Sequence, residues 1–155
     1  VDPGQPLIYL ATGQARDGEM QARVARHQAR RGPRWTTLEE PLDLVAALSR
    51  VDRSGAVVLV DCLTMWQSNL LTLAGLDQAG VEERGRQLAT LLPELAGSVI
   101  LVGNEVGLGI VPDNPLARAF RDQAGLLHQN LARVCDRVVM VMAGLPLALK
   151  GGLPD

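Results

Sequence analysis

The chain has 155 residues, a formal net charge of −2, 47% hydrophobic and only 3% aromatic residues, with a mean hydropathy of +0.11 and a pI near 5.7. That size and apolar content imply one domain over residues 1–155 with a single filled core, and the alternation of strands and helices along it makes it α/β. The acidic balance and scarcity of rings exclude a broad nucleic-acid surface, and the absence of a long apolar run or a basic leader excludes a membrane span and a visible export signal, which points to the cytoplasm.

In chain order, an apolar run at 7–11 reads as a strand and 18–31 as a helix. A second helix covers 42–51, a strand 56–60, and a third helix 81–92, which Pro93 ends or kinks. A strand at 98–102 precedes the best-signalled helix, 115–134. Asn114 can cap it, Pro115 suits its first turn, and Leu116, Phe120, Ala124, Leu127, Leu131 and Val134 form one stripe. A last strand is expected at 137–142. Near-continuous Val/Ile/Leu runs suit parallel strands covered on both faces, so the expected fold is a doubly wound, mostly parallel sheet. Cys62 and Cys135 stand in no metal-ligand spacing and read as buried, reduced thiols. Only the ends, 1–6 and 151–155, look loose.

Ligands of such folds gather beyond the carboxyl ends of the strands. Ala11, Thr12 and Gly13 follow the first strand as a small-residue turn that either approaches a phosphate or is an ordinary tight turn. Asp61 closes VVLVD, the form of a Walker B strand whose carboxylate holds Mg²⁺, although an acid capping the next turn reads the same way. After the third strand come Asn104 and Glu105, then Val106 to Pro112 with Gly107 and Gly109, a segment able to fold over a ligand.

The run QARVARHQARRGPR carries Arg23, Arg26, Arg30, Arg31 and Arg34 around His27, with no acid between Glu19 and Glu39. Guanidinium groups bind phosphate oxygens bidentately, but a charge run is also what a solvated helix face looks like. His27 shares a helical face with Met20 and Val24 and is expected to point toward the body of the protein. It is either a core histidine or a nucleophile toward phosphorus. His128 reads as structural or surface.

These residues also carry a resemblance. LIYLAT, Glu19-Met20 with Arg23 and His27, Trp35-Thr36-Thr37 with Glu39, VDCLT with SNLL, NEVGLGIVP, and Arg118 through Gly125 with Asn130 together resemble the bifunctional adenosylcobinamide kinase/adenosylcobinamide-phosphate guanylyltransferases of cobalamin biosynthesis. The match runs in order along nearly the whole chain. It implies a RecA-like P-loop fold, a homotrimer, and two reactions: phosphorylation of adenosylcobinamide with ATP or GTP, then transfer of GMP from GTP to adenosylcobinamide phosphate through a GMP–histidine. His27 matches that histidine. Ala11, Thr12, Gly13, Gln28, Ala29, Arg30, Arg31, Glu39 and Asp61 fall on the guanine-nucleotide site, Asp61 also on Mg²⁺, and Asn104, Glu105, Gly107 and Gly109 on a substrate loop.

One departure stands at the front. The family opens with a strand and a GGxRSGKS loop, whereas no Gly-Lys-Ser/Thr occurs in this sequence and its one lysine is Lys150. The match starts past that loop's helix, so kinase activity is expected to be crippled, the sheet to keep a hole or an open edge, and Val1 not to be the natural start. The rival expectation is a non-catalytic nucleotide-binding or assembly subunit, and a weaker one an ordinary nucleoside-monophosphate-kinase relative.

Overall fold

A computed structural model describes residues 4–14 and 18–153 and, within the first helix, the side chains of Ala22, Ala25, Arg26, His27, Gln28, Ala29 and Arg31. The elements run β1 (Leu7–Ala11), α1 (Gly18–Arg31), β2 (Trp35–Glu39), α2 (Leu44–Val51), β3 (Val57–Asp61), α3 (Leu63–Thr72), α4 (Gln78–Leu91), a 3₁₀ turn (Leu92–Glu94), β4 (Ser98–Val102), α5 (Pro115–Val134), β5 (Val138–Met142) and β6 (Leu145–Lys150). Four strands form one parallel sheet in the order β2-β1-β3-β4. The chain leaves β1 to one side for β2 and returns to its other side for β3. This reversal of strand order opens a crevice at the carboxyl ends of β1 and β3, where ligands of open α/β sheets bind. The architecture is consistent with a P-loop NTPase-like fold.

Alternation along the strands sorts their side chains onto two faces. One face carries Ile8, Leu10, Val58 and Val60, which join Leu44, Leu48, Leu63, Trp66, Leu88, Leu127 and Leu131 in the core. Each fully buried leucine there contributes about 1.5–3 kcal/mol. Trp66 fits because its indole N–H donates to the Leu42 carbonyl at 2.8 Å. The opposite face carries Leu7, Tyr9, Ala11, Val57, Leu59 and Asp61 in β1 and β3. On β4, the sheet's edge among the described residues, Ile100 remains 50% exposed. The expectation of strands covered on both faces therefore holds for β1 and β3 but not for β4.

Two expected elements differ. The strand near 137–142 does not enter the parallel sheet: β5 pairs antiparallel with β6 in a separate hairpin. Its two-residue turn, Ala143-Gly144, has positive φ at both positions, the geometry that matches strand twist. Lys150 at its end donates to the carbonyls of Ala132 and Arg133, capping α5. The α5 stripe is buried only along its middle, at Ala124, Leu127 and Leu131, while Leu116 and Val134 are exposed. Asn114 does cap that helix, accepting from Leu116 and Ala117 N–H. Cys62 is buried and Cys135 half-buried, both unpaired.

β2, α3 and β6 have no counterpart among the expected elements. β2, Trp-Thr-Thr-Leu-Glu at the other sheet edge, lacks an apolar run. α3 buries Leu63, Trp66, Gln67, Asn69 and Leu70, so it shows no single apolar stripe for a periodicity reading to detect.

Candidate functional site

Register brings three of the sequence-derived residues into one row. Ala11 pairs with Glu39 on one side and Asp61 on the other, so the two carboxylates flank a methyl side chain on one face, about 10 Å apart at two strand spacings. Glu39 is exposed, and Asp61 is partly buried. The Asp61–Cys62 peptide is cis.

Behind the row, Thr12 locks the two strand ends together. It is fully buried. Its hydroxyl donates to the Cys62 carbonyl and accepts from the Cys62 N–H, both at 2.8 Å. Its own N–H donates to the Asp61 carbonyl at 3.1 Å. Asn69 of α3 donates from Nδ2 to the Thr12 carbonyl at 2.8 Å and to the Pro41 carbonyl at 3.1 Å. The Thr12 hydroxyl is thus committed to the backbone that carries Asp61, and Gly13 beyond it is half-buried.

In front of the row lies Tyr9. It faces the same side as Asp61, diagonally across the β1–β3 pair, and its hydroxyl donates to Asp61 Oδ2. Burial and this carboxylate push the Tyr9 hydroxyl well above its ordinary range, opposed by the Arg31 charge. The Arg31 guanidinium lies over the Tyr9 ring, its Cζ 3.3 Å from the centroid. One of its terminal nitrogens, Nη1, is buried without a hydrogen-bond partner among the described residues. A guanidinium nitrogen in that state, beside the mouth of the crevice, is suited to an anionic oxygen.

His27 stands one helical turn before Arg31, about 6 Å along the axis of α1. Its side chain is exposed, as are those of Gln28 and Ala29, so the expectation of an inward-pointing imidazole fails. The described side chains nearest it, Arg26, Gln28 and Ala29, are exposed as well, so this stretch of α1 faces solvent. The side chains of Glu19, Met20, Arg23, Val24 and Arg30, which the sequence reading used, lie outside the described residues.

The segment after β4 is held from two helices. Asn104 N–H donates to Thr64 Oγ1 at 2.8 Å, Arg121 donates to the Gly107 carbonyl at 2.9 Å, and Arg118 donates to the carbonyls of Pro112 and Asp113. Glu105 accepts from Gly107 N–H and lies 3.7 Å from His128 Nδ1. A Cβ at Gly107 would fall 2.7 Å from Glu105 Oε1, so a side chain there would push the Glu105 carboxylate off its bond to the Gly107 N–H. Gly109 has open space around it, and the tip between, with Ile110 97% exposed, faces solvent. Beside the segment, an open groove of about 470 Å³ is lined by Leu71, Thr72, Val106, Leu116 and Phe120.

Tyr9, Asn69 and the double role of the Thr12 hydroxyl were not identified from the sequence. Each acts across 50 or more residues, Tyr9 on Asp61, Thr12 on Cys62 and Asn69 on Thr12, and no local pattern reports such partners. Among the described residues no group of three or more His, Cys, Asp or Glu side chains converges to form a metal cage, and no helix is long and apolar enough to cross a membrane.

A family model described as cobinamide kinase / cobinamide phosphate guanyltransferase matches residues 1–149. The chain is 48% identical over 150 residues to the bifunctional adenosylcobalamin biosynthesis protein CobP of Pseudomonas aeruginosa, covering 97% of this chain and 86% of that protein. It is 34% identical over 155 residues to the bifunctional adenosylcobalamin biosynthesis protein CobU of Escherichia coli, covering 93% of this chain and 86% of that protein.

Proposed function

Because the chain belongs to the cobinamide kinase / cobinamide phosphate guanyltransferase family, we propose that it transfers GMP from GTP to adenosylcobinamide phosphate through His27, giving adenosylcobinamide-GDP in cobalamin biosynthesis. The observation that carries this reading is the seating of Arg31, one turn from His27, on Tyr9 beside Asp61. The histidine's helix and the acid at the strand-order reversal converge there.

In this mechanism an imidazole nitrogen of His27 attacks the α-phosphorus of GTP, and the bond to the pyrophosphate oxygen breaks. A phosphate oxygen of adenosylcobinamide phosphate then attacks the same phosphorus, and the phosphorus–nitrogen bond breaks, returning His27. Arg31, with its unpartnered buried nitrogen, stabilises charge on the non-bridging oxygens; Gln28, Ala29 and Arg30 flank it on the same turn. Glu39, exposed at the far end of the row, presents a carboxylate able to accept from guanine N1 and N2 donors, while Asp61 faces the phosphates. Ala11 and Gly13 give the nucleotide close approach to the backbone.

A lone carboxylate fits a Mg²⁺ that arrives with the triphosphate rather than in a protein cage. Asp61 would hold it through the oxygen that Tyr9 leaves, and when bound it neutralises the leaving pyrophosphate. Asn104, Glu105, Gly107 and Gly109 edge the corrinoid's approach. Phosphorylation of adenosylcobinamide by ATP or GTP is proposed on the family alone, with no residue of this sequence assigned to it, as are assembly as a homotrimer and residence in the cytoplasm.

The test is intact-protein mass spectrometry after incubation with GTP and Mg²⁺. An acid-labile GMP adduct is expected on His27 and is expected to vanish in His27→Ala. An adduct that persists in the variant refutes the role of His27, and no adduct on the parent protein is the result a non-catalytic nucleotide-binding subunit would give.

A further inference from the structure

We propose that Tyr9 is a positioning residue that couples the helix bearing His27 to the Asp61 carboxylate, its hydroxyl orienting Asp61 and its ring seating Arg31. The inference rests on the guanylyl-transfer reading for its purpose, but not for its geometry.

Tyr9 is 8% exposed and sits mid-strand in β1, a place whose burial alone asks only for an apolar side chain. Its one polar atom reaches Asp61. Parallel register accounts for the reach: Tyr9 pairs with Leu59, and Asp61 is the next residue of β3 on the same face. That diagonal is one an aromatic side chain can span. A carboxylate held at Oδ2 has its plane fixed, so Oδ1 projects in one direction from the strand end. Without the hydroxyl the Asp61 side chain rotates about its terminal bond, which for a carboxylate is a broad torsion.

The ring does the second task. Arg31 is the last residue of α1, and its guanidinium stacks on the Tyr9 face at 3.3 Å. This is a described contact that ties the end of α1 to the sheet. A flat, electron-rich face holds the planar guanidinium parallel to itself, which leaves the fork's edge, including the unpartnered Nη1, to point toward an anion. One residue thereby contacts both a cationic and an anionic group, Arg31 on its ring face and Asp61 at its hydroxyl.

Two variants separate the two tasks. Tyr9→Phe keeps the ring and removes the hydroxyl; Tyr9→Leu removes both. The probes are binding of Mn²⁺·GDP, read by the electron paramagnetic resonance of the metal, and hydrogen exchange of the α1 amides at 28–31. Tyr9→Phe is expected to weaken Mn²⁺·GDP roughly tenfold, the loss of one hydrogen bond to a charged group, with exchange at 28–31 within about twofold of the parent. Tyr9→Leu is expected to weaken binding at least as much and to accelerate exchange at 28–31 roughly tenfold. Unchanged Mn²⁺·GDP affinity in Tyr9→Phe, or a parent protein that binds no Mn²⁺·GDP, overturns the orienting role. Unchanged exchange in Tyr9→Leu overturns the seating role. Neither readout requires the GMP adduct, so a parent protein that binds Mn²⁺·GDP yet forms no adduct sinks the transfer reading and leaves the Tyr9 comparison decisive.

Discussion

Replacing Thr12 with valine keeps the side chain's shape and removes only its hydroxyl. That hydroxyl closes two 2.8 Å hydrogen bonds with the Cys62 backbone in a fully buried position. In Thr12→Val the Cys62 N–H loses its acceptor, at a cost of about 1–3 kcal/mol, and the Cys62 carbonyl loses a donor at smaller cost. The expected loss is about 2–3 kcal/mol, a large share of the 5–15 kcal/mol typical of a domain. Thr12→Ser keeps the hydroxyl and drops one methyl, for about 1 kcal/mol. Urea unfolding followed through the fluorescence of buried Trp66 reads both, with a lower midpoint and unchanged slope expected. The thermal midpoint of Thr12→Val should fall by about 4–12 °C at roughly 2–4 °C per kcal/mol. If valine proves no worse than serine, the hydroxyl does not lock β1 to β3 and the reasoning fails.

Leu48→Ala, at a position 1% exposed, should cost about 2–5 kcal/mol, against less than about 0.5 kcal/mol for Ile110→Ser in the exposed tip; equal losses would misplace the core. Asp61→Asn should raise the Mg²⁺ concentration needed for half-maximal GMP attachment, and an unchanged metal titration would remove Asp61 from the metal's ligands. The pH dependence of Tyr9 is also testable. Burial first, then Asp61, raises its hydroxyl above the unfolded value near 10. The associated stability is therefore complete below about pH 10 and is lost as pH climbs from there toward the folded value. Tyr9 is the one tyrosine of the chain, so phenolate absorbance reports it alone. No phenolate is expected at pH 10 while the protein remains folded, and Tyr9→Phe should lose stability less steeply above that pH; a phenolate signal from folded protein at pH 10 would contradict the buried hydrogen bond.

Much of the fold was legible locally. The strand Leu7–Ala11, the helix Gly18–Arg31, the strand Ser98–Val102 and the helix Pro115–Val134 fall where runs, caps and punctuation put them. The family was legible too, because NEVGLGIVP, VDCLT and the EMxxR pattern before His27 are contiguous words. β2 escaped because its Thr-rich run carries no alternation worth the name, and α3 because its buried face mixes Gln67 and Asn69 with the apolar residues while Met65 is exposed, which breaks the stripe. β5 was placed in the parallel sheet because an apolar run of five cannot reveal whether its neighbour is parallel or antiparallel.

The sequence by itself determined that Ala11, Asp61 and Asn104 end or follow strands, that cationic residues crowd His27, and to which family the chain belongs. Only the tertiary structure decided that Glu39, Ala11 and Asp61 share one row, that Thr12 serves Cys62, and that Tyr9 contacts both Arg31 and Asp61. The reason is physical: periodicity and capping act over a few residues, whereas the bonds Tyr9–Asp61 and Thr12–Cys62 join positions 52 and 50 residues apart. Such pairs exist only once strand order and register have brought β1 beside β3.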